Sequence, residues 1–272
     1  MQLVMKCNFR MSVAPLVLGI LFAATGSVFP QSLAAIETEL LGYMKTMAES
    51  GTYSGNYDDA KLGPATESLK QRLMRYATRA DVLKYDFPKL KEEMSIATSK
   101  DGKFRVYSWD LQTGGTMHEH DLVIQYVGKS GKTLAWSTTE DAEYAELGGF
   151  FTDVFQVATP KGAIYLPVST IIASSALNGQ SINAVRIVGD DLDLKANVIK
   201  TASGPTNSIS FAYDFFTVVD SPERPVRLFR FNEARKEFAF PVVIEDEKTP
   251  QGRVTNKFIT YRFNGTHFVK VN

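Results

Sequence analysis

Apolar side chains recur every three or four positions in two stretches near the start of the chain, and charged side chains occupy the opposite faces. This periodicity predicts amphipathic helices over 35–49 and 65–80. Thr66 is the candidate N-cap of the second helix. Pro88 ends the helical region or leaves one short turn over 89–94, because proline lacks the N–H that a helix interior needs.

From Ile96 onward the pattern changes to apolar–polar alternation, which is typical of half-buried β-strands. The alternation predicts strands over 103–109, 122–127, 133–137, 151–158, 163–168, 182–188, 194–199, 209–216, 226–231, 237–244, 257–263 and 266–271. Turn residues separate them at Asp101-Gly102, 128–131, Asn178-Gly179, Gly189-Asp190, Gly204-Pro205 and Asn264-Gly265. Because these intervals are too short for helical crossovers, we expect antiparallel pairing.

The last hairpin has the clearest turn signal. Asn264-Gly265 suits the two positive φ angles of a type I′ turn. Such a two-residue turn places Phe263 opposite Thr266 and Tyr261 opposite Phe268.

The chain is therefore expected to be mainly β, with a helical N-terminal segment over 35–94 and an antiparallel β domain over 95–272. An aromatic-x-aromatic-Asp/Asn motif closes four strands, at 107–110, 211–214, 229–232 and 261–264. Repeated hairpins of this kind favour a propeller-like meander. The spacing of the motif is irregular, however, and aromatic pairs suit strand ends in general, so a β-sandwich is the alternative.

The first 34 residues have the organisation of a secretory signal peptide. Lys6 and Arg10 precede an apolar run, and Ser32-Leu33-Ala34 supplies small residues before a cleavage point after Ala34. A retained membrane anchor is the alternative, but the strongly apolar part is shorter than the ~20 residues that span a bilayer. We therefore expect export, with no transmembrane span in the mature chain.

Cys7 is the single cysteine, and it lies in the segment that is predicted to be removed. The mature chain would then have no thiol, disulfide or cysteine nucleophile. Exported eukaryotic domains of this size usually carry disulfides, so a cysteine-free exported chain indicates a bacterial periplasmic or extracellular protein.

Charge and composition narrow the classes of partner. The chain has 272 residues, with 30 basic and 30 acidic side chains, and 44% of its residues are hydrophobic. Nucleic-acid binders need a basic excess, and disordered chains are poorer in apolar residues, so the sequence argues against both. The expected partner is a protein or glycan of the cell envelope.

His118 and His120 form the sharpest polar cluster. On a strand their side chains point the same way and would hold a metal ion with a third ligand, such as His267 or an acid. The alternative is a pair of exposed histidines at the junction of a loop and a strand. The sequence predicts no cofactor.

Arg105, Tyr107 and Trp109 share one face of a predicted strand, and the segment 227–231 repeats the pattern. An exposed face of this kind would bind a sugar or a peptide through its rings and its guanidinium. The alternative is core packing with the arginine at the rim.

Other motifs in the sequence do not indicate a catalytic or metal-binding site. The segment 128–133, Gly-Lys-Ser-Gly-Lys-Thr, resembles a phosphate loop but lacks the upstream glycine and the following helix, so it indicates a hairpin turn. The acidic clusters at 190–193 and 245–247 do not fit a calcium loop and are interpreted as solvated turns. A serine nucleophile elbow is also missing from the sequence.

The segment from Asp101 to Asp110, Asp-Gly-Lys-Phe-Arg-Val-Tyr-Ser-Trp-Asp, is followed by Thr-Gly-Gly-Thr-Met-His over 113–118. It resembles a segment of poorly characterised exported bacterial proteins, and the ending over 263–268 is similar to their closing hairpin. The resemblance covers about a tenth of the chain. It implies export and a β-rich fold, and it carries no known activity.

Three functions follow as hypotheses. The first is an exported bacterial binding protein for a protein, peptide or glycan, with an inhibitor or immunity protein as a special case. Its candidate binding residues are Arg105, Tyr107, Trp109, His118 and His120. The second is a periplasmic hydrolase, assisted by a metal at His118 and His120. The third is a structural component of the envelope.

Overall fold

The N-terminal part of the chain is helical in the computed structural model, which describes residues 31–138 and 148–271. Helix α1 spans Leu33–Ser50, α2 spans Asp59–Tyr76 and α3 spans Ala80–Lys84, with 3₁₀ turns over Thr52–Ser54 and Leu90–Glu92. The first helix and the short turn after Pro88 are confirmed, but α2 begins earlier than predicted. Its N-cap is Asp58, and Thr66 lies inside the helix, where its hydroxyl donates to the Leu62 carbonyl at 2.9 Å. Burial of Leu62 favours the longer helix, although Pro64 within it cannot donate a backbone hydrogen bond.

The predicted signal peptide falls mostly on residues 1–30, which lie outside the described residues. The predicted cleavage point after Ala34 is in the first turn of α1. Ser32 is the N-cap of this helix, and its Oγ accepts a hydrogen bond from the Ala35 N–H at 3.2 Å. None of the helices within the described ranges combines the length and apolarity needed to cross a bilayer.

Three β-sheets follow the helices, and nearly all of their strands pair antiparallel. The first sheet contains β1 (Ser95–Thr98), β2 (Phe104–Asp110), β3 (His120–Val127) and β4 (Thr133–Ser137). The middle sheet contains β5 (Phe150–Thr159), β6 (Gly162–Ile172), β7 (Leu177–Asn183), β8 (Val185–Val188), β9 (Asp191–Asp193) and β12 (Ser208–Asp214). The outer sheet contains β10 (Ile199–Thr201), β11 (Gly204–Thr206), β13 (Arg230–Asn232), β14 (Glu237–Asp246), β15 (Thr249–Phe263) and β16 (Phe268–Val271), with β10 and β16 parallel.

The helices and sheets form successive layers with three hydrophobic cores. The helices pack on one face of the first sheet, and the other face of that sheet packs on the middle sheet. The opposite face of the middle sheet packs on the outer sheet around a cluster of phenylalanines. The predicted mainly β fold with a helical N-terminal segment is confirmed. The propeller-like arrangement is not confirmed, and the face-to-face sheets fit the sandwich alternative.

Several local predictions of turns and pairing are wrong. Asn178-Gly179 lies within β7 and Gly204-Pro205 within β11, because pairing to neighbouring strands overrides the local turn preference. In the last hairpin Phe263 pairs with Phe268 instead of facing Thr266. The Asn264 side chain accepts hydrogen bonds from the N–H groups of Thr266 and His267, which closes a four-residue loop.

Glu37 joins α1 to the turn that precedes β1. Only 4% of its surface is exposed, and its Oε1 accepts the N–H groups of Lys89 at 2.8 Å and Leu90 at 3.0 Å. The Tyr85 hydroxyl donates to Oε2 at 3.0 Å. The buried carboxylate therefore accepts three hydrogen bonds that join α1 to the segment between α3 and β1.

Candidate functional site

Arg105, Tyr107 and Trp109 lie in the interior of the protein. Their exposed fractions are 6%, 0% and 1%, because the helices cover the face of β2 that carries them. The predicted sugar- or peptide-binding surface does not exist at these positions, and the core-packing alternative describes them. The opposite face of β2 is buried as well, so both sets of alternating side chains are in a core.

Arg105 connects the first sheet to the helical layer. Its guanidinium donates to the Tyr85 carbonyl at 2.8 Å and to the Val82 carbonyl at 3.2 Å, beside the end of α3. Its Nε donates to the Thr98 hydroxyl at 2.8 Å. Carbonyls at the C-terminal end of a helix carry partial negative charge, so they offset the cost of burying this cation.

His118 forms a hydrogen-bonded pair with Asp110 at the end of β2. Its Nδ1 lies 2.5 Å from Asp110 Oδ2, and the Tyr53 ring stacks on the imidazole with 4.9 Å between centroids. The Gln112 N–H donates to the other Asp110 oxygen at 2.7 Å, which fixes the carboxylate. A cavity of about 350 Å³ beside His118 is also lined by Thr116, Ser174 and Ser175.

His120 stands next to this pair, with its ring centroid 6.5 Å from that of His118. Burial lowers the pKa of His120, the Asp110 carboxylate opposes that shift, and His118 adds to it. His267 lines a different cavity, with Arg186 and Asp193. Among the described residues, no three histidine, cysteine, aspartate or glutamate side chains form a group that would hold a metal ion.

A candidate site larger than the cavity beside His118 is a groove of about 510 Å³ between the middle and outer sheets, which we call the edge groove. Residues of β5, β13, β14, β15 and the segment before β13 line it: Asp153, Phe155, Val218, Ser221, Glu223, 227–231, Pro241, 254–256 and Phe258. Strand β13 is the last strand of the outer sheet, and among the described strands β5 pairs only with β6. Two sheet edges therefore meet at the edge groove.

Aromatic rings form the apolar surface of the edge groove. Phe155 of β5 stacks on Phe231 of β13 at 5.0 Å with an interplanar angle of 9°, so this contact joins the two edges. Phe258 is 38% exposed, and the guanidinium carbon of Arg230 lies 4.2 Å above its ring centroid. Exposed rings beside cations form a surface that binds apolar groups and acids together.

The two arginines of the edge groove differ in their ion pairs. Arg227 forms ion pairs with Asp153 at 3.1 Å and with Glu223 at 3.3 Å. Arg230, by contrast, has no acidic partner among the described residues, and its contact is the ring of Phe258. The groove thus offers one available guanidinium to an acidic group of a ligand.

A buried glutamine positions the segment that carries Arg227. Gln180 of β7 is 2% exposed, and its Nε2 donates to the Val226 carbonyl at 2.7 Å. Its Oε1 accepts the Leu228 N–H at 3.0 Å. The two bonds hold the backbone on both sides of Arg227 against the middle sheet, which leaves the arginine side chain facing the groove.

The sequence pointed to one part of the edge groove and missed the rest. The sequence predicts a candidate binding face over 227–231, and its arginine and both of its rings, Phe229 and Phe231, line the groove. Asp153, Phe155 and Phe258 were not recognised, since each looks like an ordinary strand residue. Only the meeting of distant strand edges brings them together.

Comparisons with protein-family models, with curated proteins and with solved structures find no match to this chain. The resemblance to exported bacterial proteins stays a prediction. The function is therefore inferred from the geometry of the described residues.

Proposed function

We propose that this chain is an exported bacterial binding protein that holds an extended peptide segment of an envelope protein in the edge groove. The observation that supports the proposal is the meeting of two strand edges, β5 and β13, at a groove with an aromatic surface. Strand edges carry backbone donors and acceptors that an extended peptide can pair with. The volume of about 510 Å³ is within the range of ligand sites.

The charged and aromatic side chains of the edge groove indicate what kind of peptide it would bind. Phe258 and Phe231 offer apolar surface, and Arg230 offers a guanidinium without an acidic partner among the described residues. We expect a ligand with a large apolar side chain and a carboxylate a few residues away, from an acidic side chain or a C-terminus. A peptide is favoured over a glycan because the acids Asp153 and Glu223, which would bind sugar hydroxyls, already pair with Arg227.

A display library of random peptides tests the proposal. Sequences selected on the purified mature protein should share the apolar–acidic pattern. The Arg230→Ala variant should bind the synthetic form of a selected peptide at least about tenfold more weakly, the effect of losing about 1.4 kcal/mol. Arg235→Ala is the matched control, because Arg235 is exposed on the β13–β14 turn outside the groove.

Backbone pairing has a test of its own. Methylating alternate backbone nitrogens of the selected peptide removes the donors on one edge of its strand. One of the two alternating patterns should abolish binding, while the other should have little effect. Binding of glycans from an array, with no peptide selected, would contradict the peptide proposal, as would selected peptides that bind Arg230→Ala as tightly as the unaltered protein.

Export is part of the same proposal. The positively charged start, the apolar run and the small residues before position 35 support it. Sequencing the N-terminus of the protein isolated from its native cells should return Ala35 as the first residue. An N-terminus within 1–10 would mean that the leader is retained.

A second function, a hydrolase, is proposed from a different observation. Asp110 holds His118 by Nδ1 at 2.5 Å, an arrangement that leaves Nε2 to act as a general base on a hydroxyl in the adjacent cavity, where Ser174 and Ser175 lie. A hydrolase that acts through this general base needs no metal ion. Hydrolysis of an activated ester that is lost in His118→Gln and kept in His267→Gln would support it, and equal rates in both variants would exclude it.

A further inference from the structure

A second groove, of about 790 Å³, lies where the turns of the first and middle sheets converge, and we call it the lysine groove. Lys103 precedes β2, Lys129 is in the β3–β4 turn and Lys161 is in the β5–β6 turn. All three side chains line the groove and are exposed. Three turns from separate hairpins therefore bring three lysines to the lining of one groove.

The charge balance of the lysine groove is positive. Its lining contains the three lysines and one acid, Asp101. The Asp101 carboxylate accepts hydrogen bonds from the Tyr165 hydroxyl at 3.0 Å and from the Lys103 N–H at 3.0 Å. None of the three lysines forms an ion pair with any described acidic residue.

Asp190, in the turn between β8 and β9, forms contacts of its own outside the groove. Asp190 accepts the Ser130 N–H at 2.9 Å, and the Lys132 ammonium group also helps to lower the Asp190 pKa. Neither Asp190 nor Lys132 lines the groove. Among the described residues, the lining of the groove therefore carries more positive than negative side chains.

Backbone N–H groups of the β3–β4 turn are already hydrogen-bonded within the protein, so a ligand in the groove would contact side chains. The N–H groups of Lys129 and Gly131 are bonded to the carbonyls of Gly189 and Gly128, so the turn does not offer them to a ligand. A Cβ on Gly128 would lie 2.4 Å from Asp190 Oδ1, so a larger residue at this position would require the Asp190 side chain to move. An anion would be bound by the ammonium groups, as point charges.

Apolar side chains form part of the lining. Val127, Ala163, Ile187 and Val188 belong to it, and Val188 is 59% exposed at the tip of β8. A free inorganic anion would leave this surface in contact with water. A ligand with both an anionic head and an apolar body would cover it, with a gain of roughly 25 cal/mol for each Å² buried.

We infer that the lysine groove binds an organic phosphate, a phosphate group on an apolar body. It is a site separate from the edge groove and does not depend on the proposed peptide. A phosphate monoester carries close to two negative charges at neutral pH, which matches three ammonium groups opposed by one carboxylate. The same chemistry is found in soluble phosphate esters and in lipid headgroups.

Two probes distinguish these sources. Hexyl phosphate, titrated calorimetrically into the mature protein, represents the soluble ester, and phosphatidylcholine vesicles with added phosphatidic acid represent the headgroup. Hexanol and inorganic phosphate are the reference ligands, because each supplies only one half of the proposed chemistry. We expect hexyl phosphate to bind more tightly than either reference and more weakly as salt rises, since added ions screen exposed charges.

The variant for this test replaces Lys103, Lys129 and Lys161 with glutamine, and its control replaces Lys45, Lys84 and Lys248, exposed lysines outside the groove. The first variant should bind the preferred probe at least about tenfold more weakly, with an unchanged Tm, and the control should bind normally.

Binding of hexyl phosphate assigns the groove to a soluble ester, and binding of the acidic vesicles alone assigns it to a lipid headgroup. Both results support the inference. Absence of binding to either probe, or equal loss of binding in the two triple variants, would overturn it.

Discussion

Replacing Gln180 by methionine should loosen the edge groove and destabilise the protein. The substitution keeps the volume of the side chain but removes its hydrogen bonds to the Val226 carbonyl at 2.7 Å and from the Leu228 N–H at 3.0 Å. Each orphaned buried group costs about 1–3 kcal/mol. Val226 is buried and Leu228 is partly exposed, so water replaces part of the second bond, and we expect a total loss of about 2–4 kcal/mol.

Urea denaturation followed by circular dichroism measures this loss, which should lower the midpoint by roughly 1 M or more. Hydrogen exchange locates it, because the amides of 226–228 should exchange faster than in the unaltered protein. Gln71→Met is the matched control: Gln71 is exposed on α2, and its loss should change stability by no more than about 0.5 kcal/mol. A Gln180→Met variant with an unchanged midpoint and unchanged exchange at 226–228 would refute the assigned role.

Three other results are expected. Glu37→Leu should lower the free energy of unfolding by about 2–5 kcal/mol, because the buried N–H of Leu90 and its neighbour lose their acceptor, whereas Glu37→Gln retains an acceptor and should cost less in urea denaturation. The pKa of His120 is lowered in the folded state, so its neutral form contributes stability that is present above about pH 6.5 and lost as the pH falls below that value. The urea midpoint of His120→Asn should therefore depend less on pH below about 6.5 than the midpoint of the unaltered protein does. Gly149→Ala should lower Tm more than Gly102→Ala: both glycines have positive φ, but only at Gly149 would the Cβ meet a backbone oxygen, at 2.1 Å.

Most secondary structure could be predicted from the sequence, because spacing along the chain directly reports which side chains share a face. The strand over 133–137 was predicted with the bounds that β4 has. The failures occur where a partner strand decides the conformation. Gly179 looks like a turn residue, yet it pairs with Ala212 and Ile171 in the middle of a sheet.

The candidate sites were harder to predict for the same reason. His118 and His120 are close in sequence, so their proximity could be foreseen, but the partner Asp110 and the stacked Tyr53 could not. Likewise, Phe155 and Phe231 stack although many residues separate them along the chain. Contacts of this kind depend on the packing of sheets, which local patterns do not encode.

The two periodicities are properties of the sequence, and they specify the order of helices and strands and which side chains share a face of each strand. What packs against each face depends on contacts between elements that are distant along the chain. Tyr107 and Trp109 share a face of β2 as expected, but helices cover that face and place both rings in a core, while Phe258, unremarkable in the sequence, stays exposed. Alternation specifies the direction of a side chain relative to its own strand, whereas burial depends on whichever layer packs on that side.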